Sequence, residues 1–247
     1  MHSYVIGKYI LIDVNVKVNQ DVDLILCAVL ELHKMSQKVY IVAGSRTPMG
    51  GLDGSLASQT ASQLGAVAIT GALTRSKVLS TQVNEVYMGC VLAAGQGQAP
   101  ARQAALGAGL PKSTPCTTVN KMCGSGMQTT IMGYNTIRAG SADIMVCGGM
   151  ESMTNAPYLL PKVRQGMRMG HGQMLDHMFL DGLEDAYEGG LMGSFAQTTA
   201  DAFSLSRKAM DNFAIHSLSK ANSAIADGVL ESEIEAVEIT TRKGTVT

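Results

Sequence analysis

Tryptophan is missing from this chain of 247 residues, and the other aromatics are sparse, with Tyr 7 and Phe 4. A core built without large rings must be filled by small and flexible side chains, which Gly 27 and Met 16 supply alongside abundant alanine. That composition suits close packing of helices on a sheet. A surplus of either charge is missing too: Lys+Arg 19 and Asp+Glu 20 leave a net charge of -1, with no dense basic block. This excludes an electrostatic footprint for nucleic acid or for an anionic membrane. Long apolar runs are also lacking. Leu24 to Leu30 falls far short of the roughly 20 residues that cross a bilayer. Asp13, Asp21 and Asp23 interrupt what would otherwise resemble an export signal. Cys27, Cys90, Cys116, Cys123 and Cys147 form neither C-x-x-C pairs nor a His/Cys cluster of metal-binding spacing. The expectation is a reduced, cytoplasmic setting and no metal.

With 46% hydrophobic and 16% charged residues, the chain can bury a real core as one large domain or two smaller ones. From Lys38 the pattern alternates short apolar strands with helices, which predicts a layered α/β fold. Strands are expected over 39–42, 83–92, 114–119 and 144–147. Helices are expected over 59–74, with Leu64, Val67, Ala68 and Leu73 toward the sheet, from Pro100 through Leu106, and from Cys123 to about Arg138, where Gly140 ends the last. Before this pattern, 13–19 reads as a short strand and 22–32 as a short helix. Residues 155–193 carry many Gly and Met without sustained periodicity and read as a long functional excursion. A helix capped by Ser206 follows, with Met210, Phe213, Ala214, Leu218, Ala221 and Ile225 on one stripe. Residues 234–239 alternate as a strand that opens a hairpin at Arg242-Lys243-Gly244.

The run Asn120-Lys121-Met122-Cys123-Gly124-Ser125-Gly126 leads a strand into a helix and sets one thiol at the helix start. Unpaired N–H groups and the positive end of the helix dipole favour negative charge there, so this sulfur is expected to act as a nucleophile. Gly124 and Gly126 leave room beside it, and nearby N–H groups could stabilise the oxyanion of a thioester under attack. Burial as a small hydrophobe is the competing reading. Cys90, Cys116 and Cys147 are read as core residues, and His2, His33, His177 and His216 show no partner pattern; His171, in Gly-His-Gly, is read as a surface or interface residue.

Together with Asp143-Ile144-Met145-Val146-Cys147-Gly148-Gly149-Met150-Glu151-Ser152-Met153, the Cys123 run resembles a thiolase. Further motifs carry the resemblance in order: Ser45-Arg46-Thr47-Pro48, Asn84-Glu85-Val86, Gly95-Gln96-Gly97-Gln98, Pro100-Ala101-Arg102-Gln103, Asp181-Gly182-Leu183 and Met192-Gly193. It runs from about Met35 to the last residue. The first 34 residues join no family pattern and read as a displaced translation start or a non-catalytic extension.

The resemblance implies a thiolase-like fold with an N-terminal α/β domain over 35–154 and a loop domain over 155–247, incomplete at its end, with the C-terminal half absent. It implies that Cys123 carries the acyl group of an acyl-CoA as a thioester. It also implies that Leu183 and Met192 line the channel for the pantetheine arm of coenzyme A, a substrate and not a bound cofactor. Homo-oligomers, dimers or tetramers, are the family's habit. Leu191 stands where short-chain thiolases usually have histidine, which is a departure bearing on chain-length selectivity. The family's second half supplies an Asn-Glu-Ala-Phe segment, a Gly-His-Pro histidine and a second reactive cysteine. None of those segments is found here, so acyl acceptance is expected without the full condensation or thiolytic cycle. Alternatives are an inactive remnant that binds coenzyme A or a partner, and a condensing enzyme of the related ketoacyl synthase type.

Overall fold

A computed structural model describes residues 10–13, 38–241 and 244–246. The expected helix over 22–32, and all of the expected strand over 13–19 except Asp13, lie outside the described residues.

The chain divides into two units. One comprises the described residues up to Asn155 together with those from Glu235, and the other comprises Ala156–Ile234. The first unit is built on a five-stranded sheet in the order β2-β1-β5-β3-β4. Its strands are β1 (Ile10–Asp13), β2 (Tyr40–Ala43), β3 (Glu85–Gly89), β4 (Cys116–Val119) and β5 (Ile144–Gly149). β3 runs parallel to both β4 and β5, whereas β1 runs antiparallel to β2 and β5. α1 (Ala61–Ser76) and α2 (Pro100–Gly107) cover one face, and α3 (Ser125–Arg138) covers the other.

The alternation of side chains along the strands creates these layers. Val86, Met88 and Val146 point into a cluster with Ala68, Ile69 and Ala72 of α1 and Ala101, Ala104 and Ala105 of α2. Tyr87, Met145 and Cys147 point the other way, toward Ile137 of α3. Alanines at the seam let α1 and α2 approach closely, as the aromatic-poor composition requires. Leu64, Ala68 and Leu73 are buried as expected, and Val67 is half-buried.

The third strand is shorter than 83–92 because the chain turns after Gly89. There the Glu151 carboxylate accepts the N–H groups of Val91 and Leu92 at 2.8 and 2.9 Å. Expected extended pairing over 234–239 is confined to β8 (Ile239–Thr241), which pairs with β9 (Gly244–Val246). Before β8, Glu235 donates its N–H to the Arg46 carbonyl and pairs with Arg75 at 2.6 Å, and Val237 packs with Leu56 and Leu64. The segment from Glu235 thus returns to the first unit, whereas the sequence expectation kept the loop domain to the chain's end.

The second unit holds a two-stranded ribbon, β6 (Tyr158–Leu159) with β7 (Leu175–Asp176), a π-helical turn over Phe179–Leu183, and two helices. These are α4 (Met192–Ala202), which periodicity did not signal, and α5 (Arg207–Ala226), capped by Ser206 as expected. None of the residues of α5 is buried, so its apolar stripe covers no core of this unit.

Candidate active site

Cys123 is exposed at the point where β4 hands the chain to α3. The turn that presents it is specified residue by residue. Asn120 Oδ1 accepts the Met122 N–H at 2.9 Å, an Asx-type turn that reverses the chain out of the strand. Met122 then adopts φ 48°, the left-handed region that an L side chain enters at a cost of about 1–2 kcal/mol. Ser125 locks the turn from beneath: its Oγ accepts the Lys121 N–H at 2.9 Å and donates to the Met122 carbonyl at 2.5 Å. Gly124 holds the cap position of α3, and its missing side chain leaves the helix N-terminus without a capping group. The partial positive charge of that terminus stays available to a ligand beside the sulfur.

Below the turn, three glycine backbones meet. A Cβ on Gly89 would lie 2.6 Å from the Ser125 carbonyl carbon and 2.7 Å from the Gly126 nitrogen, and one on Gly149 would lie 3.2 Å from the Gly126 Cα. The start of α3 therefore rests directly on the ends of β3 and β5. Thr129, fully buried, sits with its hydroxyl 2.7 Å from the Gly126 carbonyl and 2.9 Å from the Gly148 carbonyl, joining helix to strand. A buried hydroxyl facing a strand-end carbonyl accounts for threonine at this position.

The motifs that carried the resemblance hold this platform together. Asn84 Oδ1 accepts the N–H groups of Asp143 and Ile144 at 2.9 and 2.8 Å, which sets the start of β5 against β3. Arg102 donates to the carbonyls of Thr114 and Lys112 ahead of β4. Gln103 donates to the carbonyls of Gln96 and Gln98. Glu151 also faces Cys90, whose thiol is pushed up to about 12, first by burial and then by the adjacent carboxylate. Cys147 is likewise pushed up to about 12, chiefly by burial. Cys116, half-buried, is raised for the same leading reason. Cys123 alone among the four described cysteines is exposed.

Leu183 and Met192 belong to the second unit. Glu184 and Leu191, the sequence neighbours of Leu183 and Met192, form an antiparallel bridge, and the Asp185 N–H donates to the Gly190 carbonyl at 2.8 Å. Leu183 is half-buried, and Met192 and Leu191 are exposed. His177, which showed no partner pattern in the sequence, is buried and pairs with Asp181 one helical turn on, at 2.5 Å. His171 is exposed. Among the described residues no group of three or more His, Cys, Asp or Glu side chains could hold a metal, and no helix is long and apolar enough to cross a membrane.

The family profile described as "Thiolase, N-terminal domain" matches residues 39–247. The chain belongs to the thiolase family. It is similar to "Acetyl-CoA acetyltransferase" of Schizosaccharomyces pombe, 50% identical over 210 residues, covering 85% of this chain and 53% of that protein. A protein of the same name from Cupriavidus necator is 48% identical over 206 residues, covering 83% and 52%. "Acetyl-CoA acetyltransferase 2" of Arabidopsis thaliana is 47% identical over 206 residues, covering 83% and 51%. This thiolase chain spans about half the length of these curated relatives.

Proposed function

We propose that the chain carries the acyl-accepting half of a thiolase reaction. The Cys123 thiolate attacks the carbonyl carbon of an acyl-CoA, the bond from that carbon to the coenzyme A sulfur breaks, and coenzyme A leaves as a thiolate. The acyl group stays on Sγ as a thioester. One observation carries this reading: Cys123 is exposed on a strained turn at an uncapped helix N-terminus, seated on glycine backbones. The helix dipole favours the negative charge that develops on the oxyanion. In the complete reaction a second acetyl-CoA, deprotonated at its α-carbon, attacks that thioester, and the reverse reaction is thiolytic cleavage. Deprotonation there needs a placed base; the resemblance assigns activation of the nucleophile to a Gly-His-Pro histidine and movement of the proton to a second cysteine, segments not found in this sequence. Leu183 and Met192, each next in sequence to a residue of the Glu184–Leu191 bridge, supply apolar surface for the pantetheine arm. The names of the relatives favour acetyl groups; a reducing, cytoplasmic setting and homo-oligomers of the whole protein belong to the same reading.

The test is intact mass after incubation with acetyl-CoA. One acetyl group on Cys123, absent in Cys123→Ala, supports the proposal, and an unmodified but folded chain refutes it. An acetoacetyl-CoA cleavage assay on the same sample should show no sustained turnover. Coenzyme A binding without acylation would instead favour a non-catalytic binding chain.

A further inference from the structure

The family match begins at residue 39, yet a strand from upstream of it holds an interior position in the sheet. Among the described strands, β2 pairs with β1 alone, while β5 has β1 on one side and β3 on the other. Neighbouring strands stand about 4.8 Å apart, so β2 and β5 are separated by about 9.6 Å, a gap one strand wide. The polarity of the gap is defined as well. A strand filling it must run against both neighbours, as β1 does.

We propose that the family-matched part of this chain contains an open strand slot between β2 and β5, and that Ile10–Asp13 fills it as an intramolecular donor strand. The backbone accounting argues for occupancy. An empty slot would leave one edge of β5 unpaired inside a sheet covered by helices on both faces, and buried backbone N–H and C=O groups without partners are strongly disfavoured. Four successive pairs join β1 to β5, from Ile10 opposite Cys147 to Asp13 opposite Ile144. The pairing with β2 is interrupted between Leu11 and Ile12, so β5 is the principal partner. Ile10-Leu11-Ile12 is a continuous apolar run of strand formers, the pattern of strands covered on both faces. The slot also bears on the site, since β5 ends in Gly148 and Gly149, the carbonyl and backbone on which the start of α3 rests. An N-terminal segment outside the family pattern is therefore a structural part of the platform beneath Cys123.

The register offers a direct test. Residues directly opposite in an antiparallel pair have Cα atoms about 4.5–5.5 Å apart, within the range a disulfide spans. In the full chain carrying Cys27→Ser, Ile10→Cys sets a thiol opposite the native Cys147. Mild oxidation should give an intramolecular disulfide, mapped by non-reducing digestion and lost on reduction. Failure to form it in a chain that keeps its far-ultraviolet dichroism overturns the proposal. So does an intermolecular bond, which would mean that the slot takes a strand from a second copy. Hydrogen exchange on the unsubstituted chain gives an independent reading: amides 10–13 and 144–147 should exchange together, about a hundredfold or more slower than in a free peptide. Free-chain exchange at 10–13 overturns the proposal whatever the substituted chain does. Neither measurement depends on whether Cys123 accepts an acyl group.

Discussion

At the scale of single residues, Gly133 and Cys147 meet more closely than any larger pair could. A Cβ on Gly133 would lie 2.3 Å from the Cys147 sulfur, which is fully buried in β5. Gly133→Ala is expected to cost about 1–3 kcal/mol, as overpacking does in a filled core. Cys147→Ala should recover much of that loss, and a double-mutant cycle by urea unfolding would measure the coupling. The four described thiols should also separate chemically. At neutral pH an alkylating reagent should modify Cys123 first and reach Cys90 and Cys147 only on unfolding, as peptide mapping would check. Cys90 and Cys147 ordinarily ionise near 9.0 and are pushed up to about 12 by burial. Between those values the unfolded chain releases protons that the folded chain retains. Their contribution is intact below pH 9 and is lost as pH rises toward 12. Urea midpoints taken across that window should fall with pH, and less steeply in Cys147→Ala. The nucleophile candidate was legible in the sequence because glycines and a polar turn mark a helix start. The Thr129 hydroxyl was not, since its partner carbonyl lies on a strand distant in sequence.

At the scale of elements, α1 shows what local chemistry can specify. Thr60 accepts the Gln63 N–H at 3.3 Å, and the Gln63 side chain accepts the Thr60 N–H at 2.8 Å, a reciprocal cap on the first turn. Thr60→Ala should destabilise the first unit by about 0.5–2 kcal/mol, read from chemical unfolding, with acylation of Cys123 unchanged. Periodicity located α1, α2 and α3 and the strands β2 to β5 because each buries a stripe or alternating face against a neighbour close in the fold. It placed the helix after Ser206 correctly but not its environment: α5 carries the expected stripe, and none of its residues is buried. α4 escaped notice because glycines and methionines around its start blur any period. β1 over Ile10–Asp13 was not foreseen, because a strand's place in a sheet depends on partners that its own sequence does not name; the strand expected over 13–19 lies, apart from Asp13, outside the described residues.

For the whole molecule, the outer side of α3 is the conspicuous surface. Met127, Ile131 and Tyr134 recur at helical spacing and are exposed, Met127 by 73%. The Arg138 guanidinium lies 5.9 Å from the centre of the Tyr134 ring. An apolar stripe of this kind on a separate chain favours association. Sedimentation velocity of the 247-residue chain is expected to show concentration-dependent self-association, reduced by Met127→Lys with Ile131→Glu. A monodisperse monomer at all concentrations would contradict it. The sequence made the layered class readable, but not the return of the chain from Glu235 to the first unit, which rests on the Arg75 ion pair, the Arg46 carbonyl and the Val237 contact with Leu56 and Leu64.

The order of the sheet has a consequence for how the chain folds. Ile10 pairs with Cys147 across well over a hundred intervening positions. β1 must therefore wait for β5, the last described strand of its sheet in chain order, to be synthesised. Contacts of such long sequence separation make closure slow. Until β5 emerges, the early Ile-Leu-Ile segment has only β2 beside it, through an interrupted pairing, and is a natural target for chaperones.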